Sequence, residues 1–103
     1  MAAFHLHITT PEGNNWDGNV LAISAQGAEG SFGVLSNHAP MIAAIKPGVL
    51  KVRGEDETRY YAAGEGVLEV RVDKRVVVLV DYAEPFDTLE EAKIKTKELQ
   101  HKL

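Results

Sequence analysis

Histidines are the residues best suited to chemistry in this chain, and two of them come as a pair. His5 and His7 stand two apart in "FHLHI", a spacing that puts both rings on one face of a strand and can chelate a metal. No third ligand of matching type stands nearby in sequence, so the pair reads as a solvated strand face with no metal. His38 lies in "GVLSNHAP" two residues after Ser36. A hydrolytic serine on a strand-to-helix elbow needs Gly-x-Ser-x-Gly, which this stretch does not match. His38 therefore reads as a structural or contact residue whose ring caps backbone groups in a loop.

The other candidate motifs fail on spacing. "GAEGSFG" has three glycines but no following Gly-Lys-Ser/Thr, so it is not a phosphate cradle. "GEDE" lacks the ligand spacing of a calcium loop and reads as an exposed hairpin end. The absence of cysteine removes thiolate chemistry and zinc sites of the cysteine type. No catalytic residue and no cofactor are assigned. Gly30 and Gly33 suit a tight loop with close backbone approach, and Pro40 holds the exit into "MIAAI" extended.

These residues must be positioned by short strands. In "FHLHI", Phe4, Leu6 and Ile8 alternate with the two histidines, the period of a half-buried strand. "NVLAISA", "FGVL", "MIAAI", "VLKVR" and "TRYYAA" follow, separated by turn residues. "VLEVRV" alternates again, with Leu68, Val70 and Val72 on one side, and Asp73-Lys74 turns it into "RVVVLVDY". Residues 76–80 lack alternation, which predicts a strand covered on both faces. Nine or ten such strands give a mainly β chain, a largely antiparallel sandwich or barrel. After Phe86 the composition changes to helix formers. Thr88 and Glu91 form a capping box, and Leu89, Ala92, Leu99 and Leu103 make an apolar stripe that Thr96 interrupts and Ile94 misses. The division is thus 1–86 for the β part and 87–103 for the helix.

Charge excludes one class of partner. The net charge is −4, and phosphate binding needs clustered Lys and Arg. Lys93, Lys95 and Lys97 interleave with Glu90, Glu91 and Glu98, the mark of a solvated helix face rather than a nucleic-acid site. The apolar run "VVVLV" is far shorter than the ~20 residues that span a bilayer, and "MAAFHLHITT" has no basic start or long apolar core. The chain reads as soluble, reaching a membrane only through partners.

Three blocks in order resemble the epsilon subunit of bacterial-type (F-type) rotary ATP synthases: "FHLHITTPE", "EGSFGVLSNHAPMIAAIKPG" at 29–48, and "GEGVLEVRVDKRVVVLVDYAE". The resemblance covers nearly the whole chain. It implies a ten-stranded antiparallel β-sandwich with a C-terminal α-helix. The implied function is that of a non-catalytic central-stalk subunit that docks gamma onto the c-ring and couples ion flow to ATP synthesis and hydrolysis. It places Glu29, Gly30 and Ser31 in the loop facing the c-ring, and Thr10, His38, Pro40 and Ala43 on the surface near gamma. Many members are acidic at the position of Ser31, so a charged ring contact is not expected there.

The resemblance also implies contact with the alpha/beta head and a peripheral place at the cytoplasmic face of the bacterial plasma membrane. Most bacterial relatives carry two C-terminal helices, and some bind ATP through a Leu-Asp-x-x-Arg-Ala-like motif. Here the matching residues are Leu89, Glu90 and Lys93, followed by Ile94, and the chain stops at Leu103 with room for one helix. Lysine does not reproduce the bidentate fork of arginine, so weak or absent ATP binding and reduced inhibition are expected. Two rival readings remain: a generic β-sandwich module binding a protein through an edge strand, and a small enzyme built on His38.

Overall fold

A computed structural model describes residues 2–13 and 16–101, the side chains of 100 and 101 excepted. Ten strands precede one helix: β1 (Phe4–Thr9), β2 (Trp16–Val20), β3 (Ala22–Gly27), β4 (Gly30–Leu35), β5 (Met41–Ile45), β6 (Gly48–Arg53), β7 (Thr58–Ala63), β8 (Gly66–Val70), β9 (Val76–Val80), β10 (Ala83–Phe86) and α1 (Leu89–His101). They form one sheet in the order β10-β7-β6-β3-β5-β8-β9-β1-β2, with β4 also on β3. The sheet curls so that its two halves face each other. β3 serves both: residues 22–24 pair with β6, and Gly27 pairs with Ile45 of β5.

The core lies between the halves and is built from alternate residues. Leu6, Ile8, Val20, Leu68, Val76 and Val78 come from one half, and Ile23, Val34 and Leu50 from the other, all fully buried. Alternation in β1 is as expected, with Phe4, Leu6 and Ile8 inward. Pairing is antiparallel except between β1 and β9, which run parallel. The antiparallel expectation is corrected for that pair: no hairpin joins these strands, because the rest of the sheet intervenes in the chain.

Four local expectations change. "NVLAISA" is not one segment but the end of β2 and the start of β3, broken at Leu21, where the chain passes between the halves. β9 is buried on one face only: Val76, Val78 and Val80 point inward while Leu79 is 46% exposed. β8 stops at Val70, and Val72 is 84% exposed in a turn closed by bonds from Lys74 N to Arg71 O and from Arg71 N to Arg75 O. β10 is an additional strand that the sequence did not separate. Its Pro85, lacking an amide hydrogen, sits on an edge strand, where no ladder bond is lost.

α1 begins as the capping box dictates. The Thr88 hydroxyl accepts a bond from the Glu91 amide at 3.3 Å, and the Glu91 carboxylate returns to that hydroxyl at 2.9 Å. The helix packs on β6, β7 and β10. Thr96 does not interrupt the contact stripe but belongs to it. It is buried with Ala92, and its hydroxyl satisfies itself on the Ala92 carbonyl at 2.8 Å. Leu89 and Ile94 are exposed, and Leu103 lies outside the described residues. Thr88→Ala is expected to cost about 1 kcal/mol, read as a lower urea midpoint with earlier loss of helical circular dichroism.

Candidate functional site

Strand register decides which outward side chains meet. On the outer face of β5, β8 and β9, Ala44, Val67 and Leu79 form one cross-strand row, and Ile42, Glu69 and Val77 form the next. Both rows run on into β1, to Thr9 and His7. Ile42 is 74% exposed. This half carries five apolar side chains on its outer surface, with Glu69 among them. The outer face of the other half is the one covered by α1: Ala62 and Ala92 are fully buried yet lie outside the central core cluster. One side of the sandwich is therefore capped by the helix, and the opposite side presents apolar surface to solvent.

The two ends of the sandwich separate the expected site residues. The β3–β4 hairpin closes with Gly27 opposite Gly30, so Glu29, Gly30 and Ser31 are exposed at its tip. Ala22 and Leu35 pair at the far end of the same hairpin, and His38 and Pro40 follow there. Six strand residues, about 20 Å, thus divide the "EGSFGVLSNHAP" block into two loops at opposite ends. Ala43 joins the hairpin tip: with Ala44 it lines a recess of about 500 Å³ whose other wall is residues 27–32. Thr10 continues the inward side of β1 and is buried. It lies at the same end as the tip, because Thr9 aligns with Leu79 and Gly66 with Val80. The four residues expected near gamma are not brought into one patch.

Gly30 is required for its backbone, not for space. Its φ is +123°, and nothing lies within 4 Å of where a Cβ would stand. Gly33 has ordinary room as well, its nearest contact being at 3.8 Å. The expectation of close backbone approach in this loop is corrected accordingly. His38 behaves as read from sequence: its Nδ1 donates to the Ala39 carbonyl at 2.7 Å, fastening the turn that Asn37 makes at φ 66°. Leu89, Glu90 and Lys93 are exposed on the first turns of α1.

A cleft of about 470 Å³ lies near the sheet edges β2 and β10, lined among others by Trp16, Arg59, Tyr61, Tyr82 and Glu84. Its polar groups satisfy one another. The Arg59 guanidinium is raised above its ordinary value by the Tyr61 hydroxyl and then by Glu57, whose carboxylate accepts from Nε at 3.2 Å. Burial pushes the Tyr61 hydroxyl up, against the pull of Arg59. Tyr82 donates to Glu84, and burial, that bond and the nearby carboxylates push it up to about 12. These are partners in a structural network rather than a nucleophile with its base.

The pair His5 and His7 gains a neighbour that sequence spacing did not show. Asp17 of β2 stands opposite His7, and its carboxylate reaches both rings. Among the described residues no cluster of His, Cys, Asp or Glu is arranged to hold a metal ion. Nor is any described helix long and apolar enough to cross a membrane. The outer apolar rows were the other feature missed. Their signal was present in "MIAAI" and "VVVLV", which are apolar at both parities.

The geometry thus defines a helix-capped β-sandwich with one bare apolar outer face and exposed loops at its ends. The chain belongs to the ATP synthase delta/epsilon chain family, whose β-sandwich domain matches residues 3–86. The ATP synthase epsilon chain of Rhodopseudomonas palustris (strain TIE-1) is 42% identical over 86 residues, 82% of this chain and 62% of that protein. The one from Staphylococcus aureus (strain JH9) is 41% identical over 85 residues, 82% of this chain and 63% of its own length. The chain thus spans somewhat under two thirds of these relatives. A chain in the cryo-EM structure of the Euglena gracilis mitochondrial ATP synthase OSCP/F1/c-ring superposes with a TM-score of 0.77 at 26% identity, covering 98% of this chain and 64% of that one. A chain of the Tetrahymena thermophila mitochondrial ATP synthase central stalk/c-ring shares the fold, with a TM-score of 0.66 at 19% identity over 97% and 92% of the two chains.

Proposed function

We propose that the chain is a non-catalytic central-stalk subunit of a rotary ATP synthase, docking the gamma subunit onto the c-ring and coupling ion flow to ATP turnover. The observation that carries this is the bare outer face of β5, β8 and β9. Apolar rows ending at charged and polar side chains match the buried centre and polar rim of a protein interface. Gamma takes that face in this reading, which moves the contact from Thr10, His38 and Pro40 to Ile42, Val77 and Leu79. The tip residues Glu29, Gly30 and Ser31, with Ala43 behind them, face the c-ring. The β part is the docking body, and α1 rests on it.

Torque must pass through the body without slip, and close packing supplies the stiffness. Membrane association follows from the complex, at the cytoplasmic face. α1 is tied to the sheet by Ala92 and Thr96 and by Lys95 over the Tyr82 ring at 5.7 Å, which supports low inhibitory reach. Lys93 in place of a forked arginine supports weak or absent ATP binding.

The test is a binding titration with gamma followed by reconstitution. Leu79→Asp and Ile42→Asp are each expected to weaken gamma binding about 30-fold or more, with the circular dichroism spectrum unchanged. Gly30→Val strains a positive-φ position and is expected to keep gamma binding while lowering ion-coupled ATP synthesis. Full gamma affinity in both aspartate variants would remove the outer face from the reading.

A further inference from the structure

β2 and β10 stand at the two ends of the sheet order, and the seam between them is open. Trp16 occupies that seam. It lies opposite Ile8 in the register, on the core-facing side of β2. Its indole folds back over Gly18, where a Cβ would come within 3.0 Å of the ring, and packs partly buried against the core. Two clefts meet at Trp16 and Arg59. One, of about 470 Å³, adds the rings of Tyr61, Tyr82 and Pro85. The other, of about 480 Å³, runs to the turn at Glu55, Asp56 and Glu57.

The chemistry changes along this groove. One end is aromatic and prolyl, and Lys95 over the Tyr82 ring at 5.7 Å adds a positive charge there. At the other end Glu57 is held by Arg59. Glu55 and Asp56 beside it are exposed and have no cationic partner among the described residues. Trp16 stands between the ends, and its indole N–H donates to no described residue. An added strand does not suit this seam, because Asp17 on β2 and Pro85 on β10 are residues with which sheet edges discourage one. A polyproline II segment needs no ladder. It packs prolyl rings on aromatic faces and leaves its carbonyls free for a donor such as an indole N–H.

We propose that this seam docks an extended, proline-rich segment of a partner protein that carries a basic side chain. The prolines lie against Trp16, Tyr61 and Tyr82, and a carbonyl of the segment accepts from Trp16 Nε1. The basic side chain reaches Glu55 and Asp56, since Lys95 opposes it at the other end. None of these residues belongs to the outer rows of β5, β8 and β9 or to the β3–β4 tip. The inference therefore does not rest on gamma docking.

The test titrates the whole chain against the peptide Arg-Pro-Leu-Pro-Pro-Leu-Pro-Arg, labelled with fluorescein and read by anisotropy. It presents an arginine whichever way it lies. A Kd on the order of 100 µM is expected. The same peptide with both arginines replaced by glutamate should bind about 5-fold more weakly or worse. So should the strand former Arg-Val-Thr-Val-Thr-Val-Thr-Arg. Trp16→Phe keeps a ring but removes the N–H, and is expected to weaken binding about 5-fold with gamma affinity unchanged. Glu55→Gln combined with Asp56→Asn alters only exposed side chains and should erase most of the difference between the arginine and glutamate peptides. No saturation by about 1 mM, equal binding of either control peptide, full affinity in Trp16→Phe, or undiminished discrimination in the double variant would overturn the groove.

Discussion

Replacing Gly66 with alanine is expected to lower stability by about 3 kcal/mol, near the top of the range for single substitutions. Gly66 sits in β8 between Ile45 of β5 and Val80 of β9. A Cβ there would stand 1.9 Å from the Leu79 carbonyl oxygen and 2.7 Å from the Val80 Cα. Both are backbone atoms held in a ladder, so no side chain can swing away to make room. The strands must separate, and the bonds Gly64 N to Tyr82 O and Asp81 N to Glu65 O at that end go with them. Gly33→Ala is the matched control, since its nearest atoms lie at 3.8 Å. Urea unfolding with unchanged slope should show a clear fall in midpoint for the first and little for the second. Equal midpoints would mean that the close approach is not maintained in solution.

The second large effect separates the two faces of one sheet. Leu68 of β8 is fully buried in the inward row Ala43, Leu68, Val78. Leu68→Ala leaves a cavity between the sheet halves and should cost about 3 kcal/mol. Leu79, on the adjacent strand but facing out, is nearly half exposed, so Leu79→Ala should cost less than about 1 kcal/mol. If gamma docks on the outer face as proposed, its affinity reverses the order: the Leu79 variant binds weakly while the folded Leu68 variant binds almost normally. Denaturation and binding measured on the same two proteins check both halves. If Leu79→Ala destabilised as much as Leu68→Ala, the outer face would be packed rather than open.

Local features were legible in the sequence because they depend on neighbours along the chain. Phe4, Leu6 and Ile8 announced β1 by their period, and Thr88 with Glu91 announced the start of α1. Which strands lie side by side is not a local property. Nothing in "FHLHI" says that β1 will run parallel to β9, and nothing in "AISAQG" says that β3 will pair with β6 at one end and β5 at the other. The misreading of Thr96 has a different source. Its hydroxyl looks polar in sequence but closes on the Ala92 carbonyl and then packs as a small side chain.

The family was readable from ordered motifs, whereas the surfaces were not. "EGSFGVLSNHAP" is continuous in sequence, yet the intervening strand carries Glu29 and His38 to opposite ends. "VVVLV" reads as doubly covered because apolar residues at both parities look the same whether or not the protein's own core faces them. Asp17 could not be joined to His5 and His7 without the β1–β2 register.

The sharing of β3 by both sheet halves has a mechanical consequence. Its hydrogen bonds lie across the strand axis, so a pull on the hairpin tip along that axis draws β3 and β4 together and loads the pairings of β3 with β6 and β5 in shear. Bonds in shear resist together, whereas an edge such as β2 can be peeled one bond at a time. In the proposed docking, a ring dragging on Glu29, Gly30 and Ser31 would thus pull on β6 and, through Gly27 and Ile45, on β5, so that both halves would be drawn together.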